Sequence, residues 1–328
     1  MKRIMSVMSI VLIVIFLCGW NAFAKDPKDM HIVYIVKDLV NPFFVEMKWG
    51  GYAAAKQYGV QYTCLAPERY SVENQIRIME DAIQQKVDAI IIVPIDGKGI
   101  VSAIERANKA GIPVFNCNTK AAGGQVIGFA GIDHVALGEA VGEFTVKKLN
   151  GKGQIVILEG TTGASSAQER LQGMHAVLDK YPDIKILAST TAKYNRQMGM
   201  KVTEDLLVRF PQIDAILAAN DSMALGAKEA AKDAKRLNNM YIIGIDANPE
   251  ALAAVENGEM TATINGGAFD QGFVATDLTC RYLINNEKPP EDTKVRTGKG
   301  EAVTKENIEE YRQFKNDLFK KYGLEPMY

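Results

Sequence analysis

From Lys25 onward the chain alternates short β-branched runs with longer stretches whose apolar positions recur every three or four residues. The short runs predict strands over 32–36, 60–65, 88–93, 112–115 and 126–130, with helices over 43–58, 72–86 and 97–110 between the first four. A second series follows: helix 135–149, strand 154–158, helix 167–181, strand 184–189, helix 196–210, strand 215–218, helix 222–236 and strand 241–245. Beyond it the pattern gives helix 249–257, strand 260–264, helix 268–285, a short strand near 293–296 and a polar helix over 304–322 capped by Thr304. Strands joined by helices run parallel with right-handed crossovers, so each series predicts an open parallel sheet covered on both faces. The fold class is therefore α/β, with two doubly wound parallel-sheet lobes. The last elements exceed what the second sheet needs, so some must return to the first lobe.

Residues 1–24 follow another pattern: Met-Lys-Arg, an apolar run from Ile4 to about Trp20, then Asn21-Ala22-Phe23-Ala24 before Lys25-Asp26-Pro27. A basic start, an apolar middle and an Ala-x-Ala site read as an export signal cleaved after Ala24. A retained anchor would need about 20 apolar residues, and Phe16-Leu17 before Cys18 do not suit a lipoprotein site. The mature protein is expected in the periplasm, soluble and monomeric.

Composition removes several chemistries. Among 328 residues, 38 basic and 39 acidic side chains give a formal charge of -1, so nothing favours nucleic acid. Four cysteines without a CxxC pair, and three scattered histidines (His31, His134, His175), give no metal-ligand spacing. Cys64, Cys117 and Cys280 remain after cleavage, an odd number in apolar contexts, and read as buried small hydrophobes. No G-x-G-x-x-G follows a strand, and Gly298-Lys299 lacks the hydroxyl residue of a P-loop. Gly163-Ala164-Ser165-Ser166-Ala167 is not a nucleophile elbow. No cofactor is expected, and no catalytic group.

Open parallel sheets bind ligands beyond the carboxyl ends of their strands. Those positions hold Lys37-Asp38, Asn41-Pro42-Phe43-Phe44, Asn118-Thr119 and Asp133 in the first series. In the second they hold Glu159 with the later Arg170, Tyr194-Asn195, Asn220-Asp221 and Asp246. Flat aromatic walls and planar polar side chains suit a sugar, which has apolar C–H faces and a rim of hydroxyls. Plainer roles compete: Phe43 and Phe44 as core at a helix start, Arg170 as a partner of Glu169, Asn220 or Asp221 as a helix cap, and Tyr194 as a surface aromatic.

Four motifs occur in order: Asn41-Pro42-Phe43-Phe44, Ala167-Gln168-Glu169-Arg170-Leu171-Gln172-Gly173, Ala219-Asn220-Asp221-Ser222-Met223-Ala224-Leu225-Gly226 and Ile243-Gly244-Ile245-Asp246. From about His31 to Thr297 the chain resembles the ribose/galactose type of periplasmic sugar-binding protein, the receptor of ABC importers. The resemblance implies two lobes joined by three crossings, with 25–132 plus 268–292 in the first and 133–267 plus 293–328 in the second. It implies that Asn41 and Asn118 bind hydroxyls from the first lobe, Arg170, Asn220 and Asp246 from the second, and that Phe43, Phe44 and Tyr194 enclose the ring. Asn265 stands where the family has a glutamine. Lys37 replaces a small hydroxyl residue, and Asn118-Thr119 replace a carboxylate and an arginine, which implies a sugar or polyol other than ribose. The implied partner is a membrane permease; the alternatives are a receptor for a chemoreceptor or sensor kinase, and a secreted α/β sugar enzyme.

Overall fold

A computed structural model describes residues 25–295 and 302–328. The export signal at 1–24 lies outside the described residues. The first sheet is laid down by β1 (His31–Ile35), α1 (Pro42–Tyr58), β2 (Gln61–Leu65), α2 (Val72–Gln84), β3 (Ala89–Ile92), α3 (Val101–Lys109), β4 (Val114–Cys117) and β5 (Gly128–Gly131). The second follows with α4 (His134–Leu149), β6 (Gly153–Glu159), α5 (Ser165–Leu178), β7 (Ile184–Thr191), α6 (Arg196–Arg209), β8 (Ala215–Ala218), α7 (Asp221–Asp233), β9 (Tyr241–Asp246), α8 (Pro249–Glu256) and β10 (Ala262–Asn265). Last come α9 (Ala268–Asn285), β11 (Thr293–Lys294), β12 (Ala302–Val303) and α10 (Ile308–Lys321).

The sheets share one plan, β11-β5-β4-β3-β1-β2 and β12-β10-β9-β8-β6-β7. Within each, strand order reverses at the first strand, so Val33 of β1 faces Thr63 of β2 on one side and Ile90 of β3 on the other. A crevice opens at such a reversal, beyond the strands' carboxyl ends. Every residue of β3 and β4 is buried, which is why these strands read as unbroken apolar runs rather than as an alternation. The chain passes between sheets from β5 to α4, from β10 to α9, and from β11 to β12.

Several expectations need correction. The strand at 293–294, expected with the second lobe, instead pairs parallel with β5, Thr293 opposite Ala130, at the edge of the first sheet. A two-residue strand carries no pattern that chooses between two edges. Strand β12, which pairs antiparallel with β10, lies between the short strand and the last helix, where the sequence pattern predicts no element. Thr304 does not cap the last helix; its N–H donates to Asn307 Oδ1, and the helix starts at Ile308.

Nor does that helix belong to one lobe. Ile308 and Tyr311 pack in the second lobe's core, whereas Phe319 packs on Ala53 of α1 and Phe269 of α9. Between them the Lys315 ammonium reaches Glu46 of α1, both side chains almost wholly buried. Glu46 also accepts from the Tyr328 hydroxyl and from Phe269 N–H at 3.2 Å. Helix α10 is thus a strap across both lobes.

Candidate functional site

In the first lobe, the chain leaving β1 is folded back by Asp38, whose Oδ1 accepts from the N–H groups of Val40 (3.0 Å) and Asn41 (2.7 Å). Asn41 then caps α1, its Oδ1 accepting from Phe43 N–H at 3.1 Å, and Pro42 fits the first helical position, where no N–H is needed. This delivers Phe43 and Phe44 to the crevice edge-to-face, their centroids 5.2 Å apart. Asn118, just beyond β4, has a left-handed backbone (φ 60°).

In the second lobe, α4 and α5 touch backbone to backbone. A side chain at Gly138 would collide with the Arg170 carbonyl, and one at Gly173 with that of Val135. This close approach holds Arg170 at the crevice, 3% exposed. Its Nη1 donates to the Ala219 carbonyl and lies 3.6 Å from Asp246 Oδ1, and its guanidinium carbon is 5.9 Å from the Tyr194 ring centre. Asn220 is the cap of α7, accepting from Met223 N–H at 3.0 Å. Asp221 serves instead as a buried anchor. Its carboxylate accepts from Thr263 Oγ1 (2.7 Å) and Asn248 N–H (3.0 Å), pinning the turn that follows Asp246. Positive φ angles at Lys193, Tyr194, Asp246 and Ala247 mark the same strand ends. Such strained backbone gathers where surrounding structure overrides local preference, as at binding sites.

Lys37, Asn41, Phe43, Phe44, Asn118, Arg170, Tyr194, Asn220 and Asp246 line one cleft between the lobes. Asn265 does not. It is the last residue of β10, at the carboxyl end where it was expected, but its side chain turns inward and accepts from Gly267 N–H at 2.9 Å, shaping the crossing into α9. Asp38, Tyr70 and Ser166 also line the cleft; Asp38 stands at an expected strand-end position, but none of the three is among the residues that the resemblance assigns to the ligand. Ser166 could have been found by starting α5 two residues earlier; Tyr70 lies in a loop with no periodic signal.

The lobes are closed on each other. Four polar contacts join their rims: Tyr70 hydroxyl with Thr161 Oγ1 (3.2 Å), Gly97 N–H to Gly163 O (3.0 Å), Lys120 N–H to Ser165 Oγ (3.0 Å) and Thr119 Oγ1 with Ser166 Oγ (3.1 Å). A side chain on Gly163 would collide with Asp96. The free volume left inside is about 20 Å³, room for about one water, so a sugar enters only when the lobes part.

Donors inside the cleft exceed their partners. Asn41 and Asn220 spend their oxygens as caps, and among the described residues their NH2 groups and Arg170 Nη2 have no acceptor. Lys37, 2% exposed, lies over the Tyr194 face, 5.5 Å from the ring centre, and makes no ion pair among the described residues, although Asp38 and Asp246 are near enough to favour its charge. Burial, helped by nearby Arg170, pulls its ammonium down to about 7. Burial likewise pushes the Asp246 carboxyl well above the usual range against the pull of Arg170, and raises Asp221 to about 6. Because Lys37 binds its proton less tightly when folded, the unfolded chain holds more protons between about 7 and 10.5, and stability rises with pH across that window. Lys37→Met should therefore melt higher than the parent at neutral pH, the gap closing toward the top of the window; equal melting at neutral pH would count against a buried ammonium.

The three thiols are unpaired, and burial raises Cys64 to about 11 and Cys117 and Cys280 to about 12, which keeps them inert.

A periplasmic binding protein domain model matches residues 32–288. The chain belongs to the periplasmic binding protein family. Within that family, this binding protein is of the ribose/galactose type, a sugar receptor and not an enzyme. It is 36% identical to the ribose import binding protein of Bacillus subtilis over 237 residues, 72% of this chain and 76% of that one. An ABC transporter periplasmic solute binding protein from Actinobacillus succinogenes, solved with bound D-allose, superposes with a TM-score of 0.79 at 30% identity, over 86% of this chain and all of the other. The fructose-binding periplasmic domain of a hybrid two-component system superposes with a TM-score of 0.82 at 28% identity, over 89% and 97% of the two chains.

Proposed function

We propose that this binding protein takes up one monosaccharide or polyol between its lobes and delivers it to an ABC permease, having been exported and cut after Ala24. The observation that carries this is the surplus of donors in a closed cleft: the NH2 groups of Asn41 and Asn220, Arg170 Nη2 and the Lys37 amine, beside the walls of Phe43, Phe44 and Tyr194. Hydroxyls of a ring would meet the donors, and its C–H faces would lie on the aromatics.

Ribose is not the preferred ligand. Lys37 puts a point donor on a flexible stem where the ribose-type pattern has a small hydroxyl residue, and Asn118 commits one of its two N–H donors to Gln271 Oε1 at 3.0 Å, which leaves at most one for a ligand. An allose-like hexose, a pentitol or an inositol suits that change better.

Thermal-shift screening of the mature chain against D-ribose, D-allose, D-fructose, xylitol and myo-inositol tests both statements, since a ligand bound only by the folded state raises its melting point. At least one should raise it with increasing concentration, and ribose should not be the strongest. A flat response to the whole panel counts against the assignment. The likeness to a two-component sensor domain favours one second reading, presentation of the bound sugar to a sensor. Co-purification from membranes with a permease or with a sensor separates the two.

A further inference from the structure

His134 begins α4 at the first crossing and is 1% exposed. It touches the candidate site without lining it. Arg170 Nε lies 3.3 Å from its Nδ1, and its Nε2 lies 2.8 Å from the Asn118 carbonyl oxygen. An arginine only donates, so Nδ1 must offer its lone pair; a carbonyl only accepts, so Nε2 must carry the proton. One neutral tautomer satisfies both. Burial and the nearby cations Arg170, Lys37 and Lys294 oppose a second proton, against the weaker pull of the Asn118 carbonyl.

The bonds place His134 in a chain across the lobes. From the first lobe, Gln271 Oε1 accepts from Asn118 Nδ2 at 3.0 Å, and Asn118 O accepts from His134. From the second, Arg170 reaches His134 through Nε and the Ala219 carbonyl through Nη1. Two of the fork's three nitrogens are thereby fixed, which sets the plane of the guanidinium and leaves Nη2 the nitrogen without an acceptor among the described residues. We propose that His134 is a positioning residue for sugar binding: its bare Nδ1 fixes the Arg170 fork, and its Nε2–H ties that fork to the Asn118 backbone of the opposite lobe. The inference rests on Arg170 being a sugar ligand. Movement of the lobes about this crossing would then loosen Arg170 as the cleft opens and set it as the cleft shuts.

Nitrogen NMR of uniformly labelled parent protein at neutral pH should show His134 with Nε2 protonated and Nδ1 bare; a proton on Nδ1 overturns the proposal. The Arg170 Nε–H should exchange slowly with water in the parent and in His134→Asn, whose Oδ1 can replace the Nδ1 lone pair, and fast in His134→Leu. For the sugar of the named panel with the largest thermal shift, His134→Leu should weaken affinity roughly tenfold or more, while His134→Asn stays close to the parent. Slow Nε–H exchange or undiminished affinity in a folded His134→Leu overturns the proposal. Unchanged affinity in Arg170→Ala would instead overturn the ligand role of Arg170, a separate failure that the exchange measurement does not share.

Discussion

Lys315→Met is expected to destabilise the protein by about 3–5 kcal/mol, because it leaves the Glu46 carboxylate buried between the lobes without its ammonium. Methionine nearly fills the lost volume, so the loss reports charge rather than a cavity. The Tyr328 hydroxyl and the Phe269 N–H would still donate to Glu46, but neither carries a charge. Adding Glu46→Gln to the same protein should restore most of the loss, since a buried pair removed whole is often neutral. Urea unfolding of the parent, the single variant and the double variant measures this. A single-variant loss below about 1 kcal/mol would mean that the pair behaves as a surface ion pair.

Arg170→Ala should weaken sugar affinity by roughly 1.5–3 kcal/mol, about tenfold to 150-fold, by removing a charge-assisted donor from a water-poor cleft. The circular dichroism of the variant should match the parent, because the α4–α5 contact is made by Gly138, Gly173 and backbone and not by the arginine side chain. Arg170→Lys should not restore binding: one compact ammonium cannot serve His134, Ala219 and a hydroxyl in the directions of a planar fork. Calorimetry with the sugar that gives the largest thermal shift decides it, and an affinity equal to the parent's would remove Arg170 from the ligand set.

The two sheets were legible because buried parallel strands announce themselves as continuous runs such as Ala89–Ile92, and because helices of regular period separate them. The cleft was legible where a residue sits at a strand's carboxyl end, as Asp246 does, or at the start of the helix that follows a strand, as Asn41 and Arg170 do. It was illegible where side-chain direction decides. Asn265 and Asn220 are both asparagines at the carboxyl ends of strands of one sheet; the first turns to shape a crossing, the second caps a helix at the cleft. Asp221 looked as good a cap as Asn220, and only the fold shows Thr263 and Asn248 already holding its carboxylate. His134 drew no functional reading, since its role depends on Asn118 and Arg170 arriving from opposite lobes. The strap had no signal either, because Ile308 and Phe319 lie on one helix yet serve different cores.

The rim contacts between the lobes carry a consequence for biosensor engineering. Gly97 with Gly163, Tyr70 with Thr161, Lys120 with Ser165 and Thr119 with Ser166 join through backbone and hydroxyl groups, and of these eight only Tyr70 and Ser166 also line the cleft. The gate and the recognition surface are thus largely separate parts, so a redesigned cleft can inherit the gate unchanged. A fluorophore pair placed on surface positions flanking that gate would then read out closure in the same units whichever sugar the redesigned interior had been made to hold.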